Sequence, residues 1–594
     1  MNDRIRHSAV WLAAALCIAG CERAPQSASS TPHPLPDPPR SVDCPAGRSG
    51  GRLRLTLPAA PRTFNPVFAL DSASDQLSRL LFGALVQFDF AAQEPRPGLA
   101  ESWSVSADGR VWTFKLRRRL HWSDGRPLTA ADVVFTWAEV IYNPRVRAPL
   151  APLFRAGGRA FKVSAPDAHT VVVATPEVFA PFLEFFGSIA VLPRHVLGGA
   201  TRQGDFAEAY NPLTRPDRLV AAGPFRLKEH RPGQWLLLER NPGYWAVDKA
   251  GQRLPYFDEV ELVVATNAAH GLERFLAGHS DVCERLRPED LPRVEAAVAA
   301  GRCRLLELGP GTQRDLLWFN QNTNVNRISG QPFVPPYKLA WFRHTAFRQA
   351  ISCALDRDRI VREVHGGHAV PCVAYLGPEA GKWYNPNTPR FGFDRARARA
   401  LLAKVGLEDR NGDGVVEDAE GHPCDITLLT NTGNPIRERL ARCLAEDLGL
   451  VGVRVKVELM PFAALERLVN ETFTYEAVLL GLSGGAAEPA SHLNVLLSRE
   501  PLHQWFPQQT QPATDWEARL DQLMEAQMRL LDFAQRKQAF DEVQVILAEQ
   551  LPMIYTVTPR VYAAAAPGLS NVRPSVLSPL PLTWNIEELC FQAR

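Results

Sequence analysis

Two short stretches of this 594-residue chain carry residue types at spacings that chemistry uses. In the first, Asp409, Asn411, Asp413, Val415, Glu417 and Glu420 occupy the ligand positions of a twelve-residue calcium loop, with Gly414 at the sharp turn. Such a loop works between two helices, yet Gly421 and Pro423 lead here into a strand pattern over 425–430. The stretch therefore reads as a helix-to-strand turn, with calcium held by Asp409, Asn411, Asp413 and Glu420 as the weak alternative. In the second, Gly481-Leu482-Ser483-Gly484-Gly485 follows the apolar run 475–480, as a strand-to-helix nucleophile elbow would. A hydrolase using Ser483 needs an acid and then a histidine further along the chain. Only His492 and His503 follow, too close to leave room for the intervening strands, and Pro489 falls where the elbow's helix should run. No catalysis is expected, and neither a phosphate loop nor a zinc spacing among the ten cysteines calls for a cofactor.

Composition narrows the class. Hydrophobic content of 46% and charged content of 22% suit a globular body. Lys+Arg 66 against Asp+Glu 64 gives no basic field, so no nucleic-acid partner is implied. At the N-terminus Arg4 and Arg6 precede a twelve-residue apolar run, 9–20, too short to span a ~30 Å hydrocarbon layer as a helix. The run ends in Ile18-Ala19-Gly20-Cys21, which resembles the bacterial lipobox, so 1–20 reads as a lipoprotein signal peptide and Cys21 as the acylated residue. The Pro/Ser-rich stretch 21–50 cannot build a core and reads as a flexible tether.

Along the body, strand and helix patterns alternate. Residues 51–57 have period two, and Asp108-Gly109 between two strand-like runs is a strong hairpin signal. Thr129 can cap a helix whose first turn holds Asp132. A second hairpin turns at Arg231-Pro232-Gly233-Gln234, and Tyr244-Trp245 after it should seat two aromatics in the core. Residues 517–531 and 535–549 show the three-and-four spacing of packed helices, with Arg536-Lys537 placed on the solvated face. Cys283 and Cys303 both fall near strands, where an exported chain could join them.

Glu101-Ser102-Trp103, Asp108-Gly109, Thr113 to Arg117, Asp124-Gly125 and Thr129 to Val133 together closely resemble the signature of family 5 solute-binding proteins, the receptors that feed ABC importers. Gly223-Pro224-Phe225, Asn241-Pro242-Gly243-Tyr244-Trp245, Phe347 to Ile351, and Trp584-Asn585 extend the likeness over about 51–591. The resemblance implies an α/β fold of the type II periplasmic-binding-protein kind, with two lobes in three domains, mixed β-sheets and a hinged ligand cleft. Lobe I would comprise 51–90, 218–312 and 556–594, with an extra subdomain over 91–217, and lobe II would be 313–555. It implies a monomer in the periplasm or at the cell exterior, membrane-anchored, delivering a peptide or other small solute to permease subunits. Non-peptide solutes (a nickel chelate, haem or an oligosaccharide) are the alternative. Peptide-binding relatives hold the ligand's α-amine with an aspartate after a Gly-Trp pair. Here Leu482 replaces the tryptophan and Gly485 stands near the aspartate's place. Either Glu488 or Asp71 then supplies the charge, or the ligand has no free amine. The implied ligand-binding candidates are Asp71 and Ser72 from lobe I and Ser483, Gly484, Gly485 and Glu488 from lobe II.

Overall fold

The computed structural model describes residues 33–326, 329–483 and 488–592. The signal segment, Cys21 and the first part of the tether lie outside the described residues. The rest of the tether departs from expectation: 33–50 is laid onto the body. Arg40–Val42 forms a strand pairing in parallel with Ala246–Asp248. Val42 and Cys44 are buried. The Arg40 guanidinium donates to Glu587, whose other oxygen accepts from the Tyr244 hydroxyl. Proline-rich composition predicted a free chain, but buried apolar groups and a buried ion pair hold it down.

In the first body a mixed sheet runs in the order Phe225–Arg231, Trp235–Arg240, Glu259–Val264, Arg52–Leu57. The hairpin turn has Gly233 at φ +74°, a conformation only glycine adopts without strain. Leu53, Leu55 and Leu57 point inward against Val260 and Leu262, as the period-two pattern predicts. Tyr244 and Trp245 are buried as expected. An antiparallel sheet, Ala100–Val105, Val111–Leu116, Thr170–Ala174 and Lys162–Asp167, follows the Asp108-Gly109 hairpin, with Gly109 at φ +70°. The helix Ala130–Val134 starts after Thr129, whose N–H donates to Asp132 at 3.0 Å.

The second body is a five-stranded sheet, Arg454–Met460, Asp425–Asn431, Ala477–Ser483, Gln313–Phe319, Met553–Tyr555. Leu317 and Phe319 pack with the helices Thr345–Ala354, Arg395–Val405 and Pro435–Gly449. Leu316 and Trp318 pack with Asp515–Gln527 and Phe533–Gln550 on the opposite face. Both faces are covered at the sheet's centre, which is why Ala477–Leu480 reads as an unbroken apolar run.

Two adjacent crossings join the bodies. Arg304–Pro310 runs on into Gln313–Phe319, and Met553–Tyr555 into Val557–Ala565. The last strand pairs with Ala369–Pro371 at its start and with Arg304–Pro310 and Val282–Leu286 further on. Cys283 and Cys303, which an exported chain could have joined, are both free thiols. Ala564 lies between Cys283 on one side and Leu305 on the other. The two cysteine strands are thus two spacings, about 9.5 Å, apart, beyond the roughly 7 Å a disulfide spans. Among the described residues no helix is long and apolar enough to cross a membrane.

Replacing Arg40 by Met would leave Glu587 without its cation in a largely buried site. The loss expected is about 3 kcal/mol, read as a lower urea midpoint. A midpoint equal to that of the parent protein would show the arm to be dispensable.

Candidate ligand cleft

The second body presents its strand Ala477–Ser483 beside the crossing, with Gly481 opposite Asp315. A Cβ at Gly481 would stand 2.6 Å from Arg437 Nη2, so glycine leaves room for the guanidinium that pairs with Asp315 at 2.8 Å. Ser483 ends the strand opposite Gln313. Gly484 and Gly485 lie outside the described residues.

The chain resumes at Glu488, which is 5% exposed. One of its oxygens accepts the Ala490 N–H at 3.2 Å, capping the turn Pro489–His492. Both oxygens face Arg536, one at 3.1 Å from Nη1 and the other closer to Nη2. Arg536 is fixed in turn by Gln527 O and Oε1, at 3.1 and 2.9 Å, and lies 5.2 Å over the Trp383 ring. The solvated-face reading of Arg536 is therefore corrected: its helix turns it inward, where Glu488 supplies the counter-charge.

From the first body Glu184, on the short helix Phe182–Phe185, brings a third ionisable group to this pair. Burial, and then the charge and hydrogen bond of Glu488, push the Glu184 carboxyl up to about 9, while Arg536 and Lys382 oppose the shift. At neutral pH it carries its proton and donates to Glu488. Other contacts complete the rim. Ala180 N–H donates to Met528 O at 2.7 Å, Arg529 pairs with Glu177 at 3.0 Å, and Lys382 donates through Nζ to Gln93 O.

Behind this rim the first body holds a cavity of about 340 Å³. Its wall passes through Ser188, bonded to Glu184 O at 2.6 Å, and Phe90, three residues before Gln93. Phe88, Phe90 and Trp584 give it aromatic faces, the last two edge-on at 5.8 Å. Asp75 pairs with Arg79 at 2.9 Å, and Asp89 with Arg573 at 2.7 Å. Burial and the neighbouring charge of Glu587 push the Glu588 carboxyl up to about 7. The helix Ser72–Leu81 reaches the cavity through Asp75, Gln76, Ser78 and Arg79, not through Asp71 or Ser72. Asp71 is that helix's N-cap and accepts Ser74 N–H at 2.9 Å. Burial works to raise its pKa, but the Ser74 bonds and Arg62 hold it below the ordinary value. Of the six candidates, then, the structure gives Asp71 and Glu488 capping roles, leaves Ser72 at a helix start and Ser483 at a strand end, and does not describe Gly484 or Gly485. The polar groups of the rim and cavity (Glu184, Arg536, Lys382, Asp89 and Arg573) were missed by sequence reasoning. Only Glu184, a lone carboxylate inside the aromatic run 179–186, carried a local signal.

The two tempting motifs have other occupations. Asp409 accepts Gly412 and Gly414 N–H, Asn411 accepts Asp413 N–H, and Asp413 accepts Val415 N–H, all at 2.8–3.0 Å. Glu420 stands with Asp418 and His422 instead, and the strand Asp425–Asn431 follows, as a helix-to-strand turn requires. His492 Nδ1 meets the Tyr375 hydroxyl at 2.8 Å, and buried His503 lies between Val495 O and Glu517.

The fold has counterparts among known proteins. The model of bacterial extracellular solute-binding proteins, family 5 middle region, matches residues 94–503. The oligopeptide-binding protein AppA of Bacillus subtilis is 24% identical over 538 residues, 89% of each chain. Its structure with a nonapeptide has a TM-score of 0.64 over 92% of this chain and 100% of that one. MelB of Agrobacterium fabrum C58 with stachyose has a TM-score of 0.65 at 22% identity, covering 95% and 86%. NikA of Brucella suis with Fe(III)-EDTA has 0.72 at 20% identity, covering 91% and 100%. The fold is thus the two-lobed α/β fold of these binding proteins.

Contact across the rim makes lobe closure pH-dependent, with a definite sign. Glu184 titrates at about 9 when closed and near the ordinary ~4.3 when opening exposes it. The closed form therefore binds the proton more tightly. Closure is favoured in acid and weakens as pH rises between those two values. Small-angle scattering of ligand-free protein from pH 5 to 9.5 should show a growing radius of gyration, and Glu184→Gln should flatten the profile. A profile unchanged by that substitution would place the titrating group elsewhere.

Proposed function

Because the chain belongs to the family 5 bacterial extracellular solute-binding proteins, we propose that it is the receptor component of an ABC importer, capturing an oligopeptide or similar solute between two lobes. Lobe I would comprise 51–90, 218–312 and 556–594 with the subdomain 91–217, and lobe II 313–555. The observation that carries this reading is the closed rim: two bodies joined by two adjacent crossings meet through Glu184, Glu488 and Arg536, and the first body alone lines a cavity of about 340 Å³ near it. A volume of that size suits a small solute. A hinge made of two neighbouring strands permits opening and reclosing around it. The receptor hands its cargo to permease subunits, and ATP is hydrolysed by other chains. Acylation of Cys21 would anchor this otherwise monomeric body at the membrane surface, outside the cytoplasm, since each buried CH₂ contributes about 0.8 kcal/mol.

Native mass spectrometry of the purified full chain should find a solute carried through purification, lost on partial unfolding. A protein that is empty, and that no solute pool from the growth medium stabilises against heat, would overturn the receptor reading. Cys21→Ser should shift the protein from the membrane fraction to the soluble exported fraction. Undiminished membrane association would sink the anchor.

A further inference from the structure

The arm 33–50 is fastened to the first body from its outermost described residue onward. His33 O accepts from Arg253 Nη2 at 2.7 Å, and the His33 ring stacks on His121 with centroids 5.2 Å apart. Asp37 N–H donates to Arg118 O at 3.1 Å, and Arg118 N–H returns a bond to Asp37 O at 3.2 Å. Buried Arg117 donates through Nη1 to Pro38 O at 3.0 Å, and Arg40 then meets Glu587. From Cys21 to His33 is twelve residue steps. They span at most about 43 Å, less than the diameter of about 60 Å expected of a body this size. An arm free as far as residue 50 would reach about 105 Å and let any face turn to a bilayer. With the arm fastened, the face opposite His33 cannot be brought down to one.

What the corner around His33 presents is positive. Residues 115–126 read Lys-Leu-Arg-Arg-Arg-Leu-His-Trp-Ser-Asp-Gly-Arg, five cations against one carboxylate in a chain whose net charge is only +2. Arg118, Arg119 and Arg126 are exposed, and none is in an ion pair among the described residues. The one carboxylate of the segment, Asp124, is already engaged. It faces His195 Nε2 at 2.8 Å and accepts the Arg126 N–H at 3.1 Å. A Cβ on Gly125 would stand 3.2 Å from the His33 ring, so Arg126 adjoins His33 as Arg118 adjoins Asp37. Asp37, on the arm, adds one exposed carboxylate, and Arg253 adds one more guanidinium. A planar guanidinium takes phosphate oxygens two at a time.

Resting on the anchoring of Cys21 proposed above, we infer that this corner of the first body lies against the bilayer, with Arg118, Arg119 and Arg126 engaging the phosphates of anionic lipid headgroups. A chain acylated at Cys21 always has a bilayer within reach of His33, which is true of no protein partner. Anionic headgroups attract a cluster of this kind, and salt screens the attraction.

The test is phenylglyoxal labelling, read by peptide mass spectrometry, of the acylated full chain held in vesicles of phosphatidylcholine alone or with one quarter phosphatidylglycerol. Labelling of Arg118, Arg119 and Arg126 should be about threefold slower on the anionic vesicles and recover at high salt. Arg467, exposed on a helix of the second body, should label at one rate throughout. Equal rates on both vesicles for the three arginines overturn the inference, and so does equal slowing of Arg467. Slowing that follows protein density and not lipid charge also overturns it, by giving the corner to a second copy of the chain. Intact mass is read first. A chain without lipid on Cys21 overturns the anchor reading and this inference with it, whereas a lipid-bearing chain labelled alike on both vesicles overturns this inference alone.

Discussion

One strand constrains everything else in this molecule. Val557–Ala565 is hydrogen-bonded at its start to Ala369–Pro371 of the second body and further along to Arg304–Pro310 of the first, so both bodies share one continuous ladder. A one-residue slip in such a ladder would turn every side chain to the wrong face, which ties each body's packing to the same register. The neighbouring crossing is fastened to it: Gly311 N–H donates to Pro559 O at 2.9 Å, and the Thr556 hydroxyl to Asp315 O at 2.7 Å. Two strands so joined bend and twist together, and they leave the bodies little freedom except to approach or separate on one side. That side is the cleft.

Two buried arginines, Arg357 and Arg348, fix elements around this constraint through backbone carbonyls. Arg357 donates to Cys372 O at 2.8 Å and Tyr555 O at 2.7 Å, clamping the residue before the crossing to the loop after Ala369–Pro371. Burial pushes its pKa down to about 10. Arg348, fully enclosed and pushed down by burial to about 9, donates to Phe342 O and Gln550 O at two helix ends. Carbonyls at helix C-termini carry partial negative charge, so a guanidinium satisfies several at once and keeps its own charge solvated by dipoles. These brackets hold Met553–Tyr555 and the ends of Pro336–Arg343 and Phe533–Gln550 rigid.

What was legible in the sequence was local. Asp108-Gly109, the Arg231-Pro232-Gly233-Gln234 turn, the buried Tyr244-Trp245 pair and the turn before Asp425–Asn431 each depend on neighbours within a few residues, and each is found where pattern reasoning puts it. What was not legible depends on distant partners. Arg40 meets Glu587 across 547 positions, and Arg536 meets Glu488 across 48. A proline-rich arm and a helix-surface arginine look solvated until those partners are placed. The separation of Cys283 from Cys303 was hidden for the same reason, since the strand between them comes from the far end of the chain. The family likeness fixed the scaffold well because scaffold residues recur together, but it carried no knowledge of which carboxylates the cleft would commit to its own architecture.

That commitment ties closure to selectivity. A carboxylate placed at a lobe boundary can serve a ligand or the opposing lobe, and serving one weakens service to the other, because a second cation beside Arg536 would be repelled as well as attracted. Here Glu488 is bound into its own lobe by Arg536 and a helix cap, and Glu184 arrives from the other lobe carrying a proton. The lobes therefore meet through a neutral-to-charged hydrogen bond that needs no ligand charge to complete it. The proton on Glu184 balances the boundary beside the Glu488–Arg536 pair.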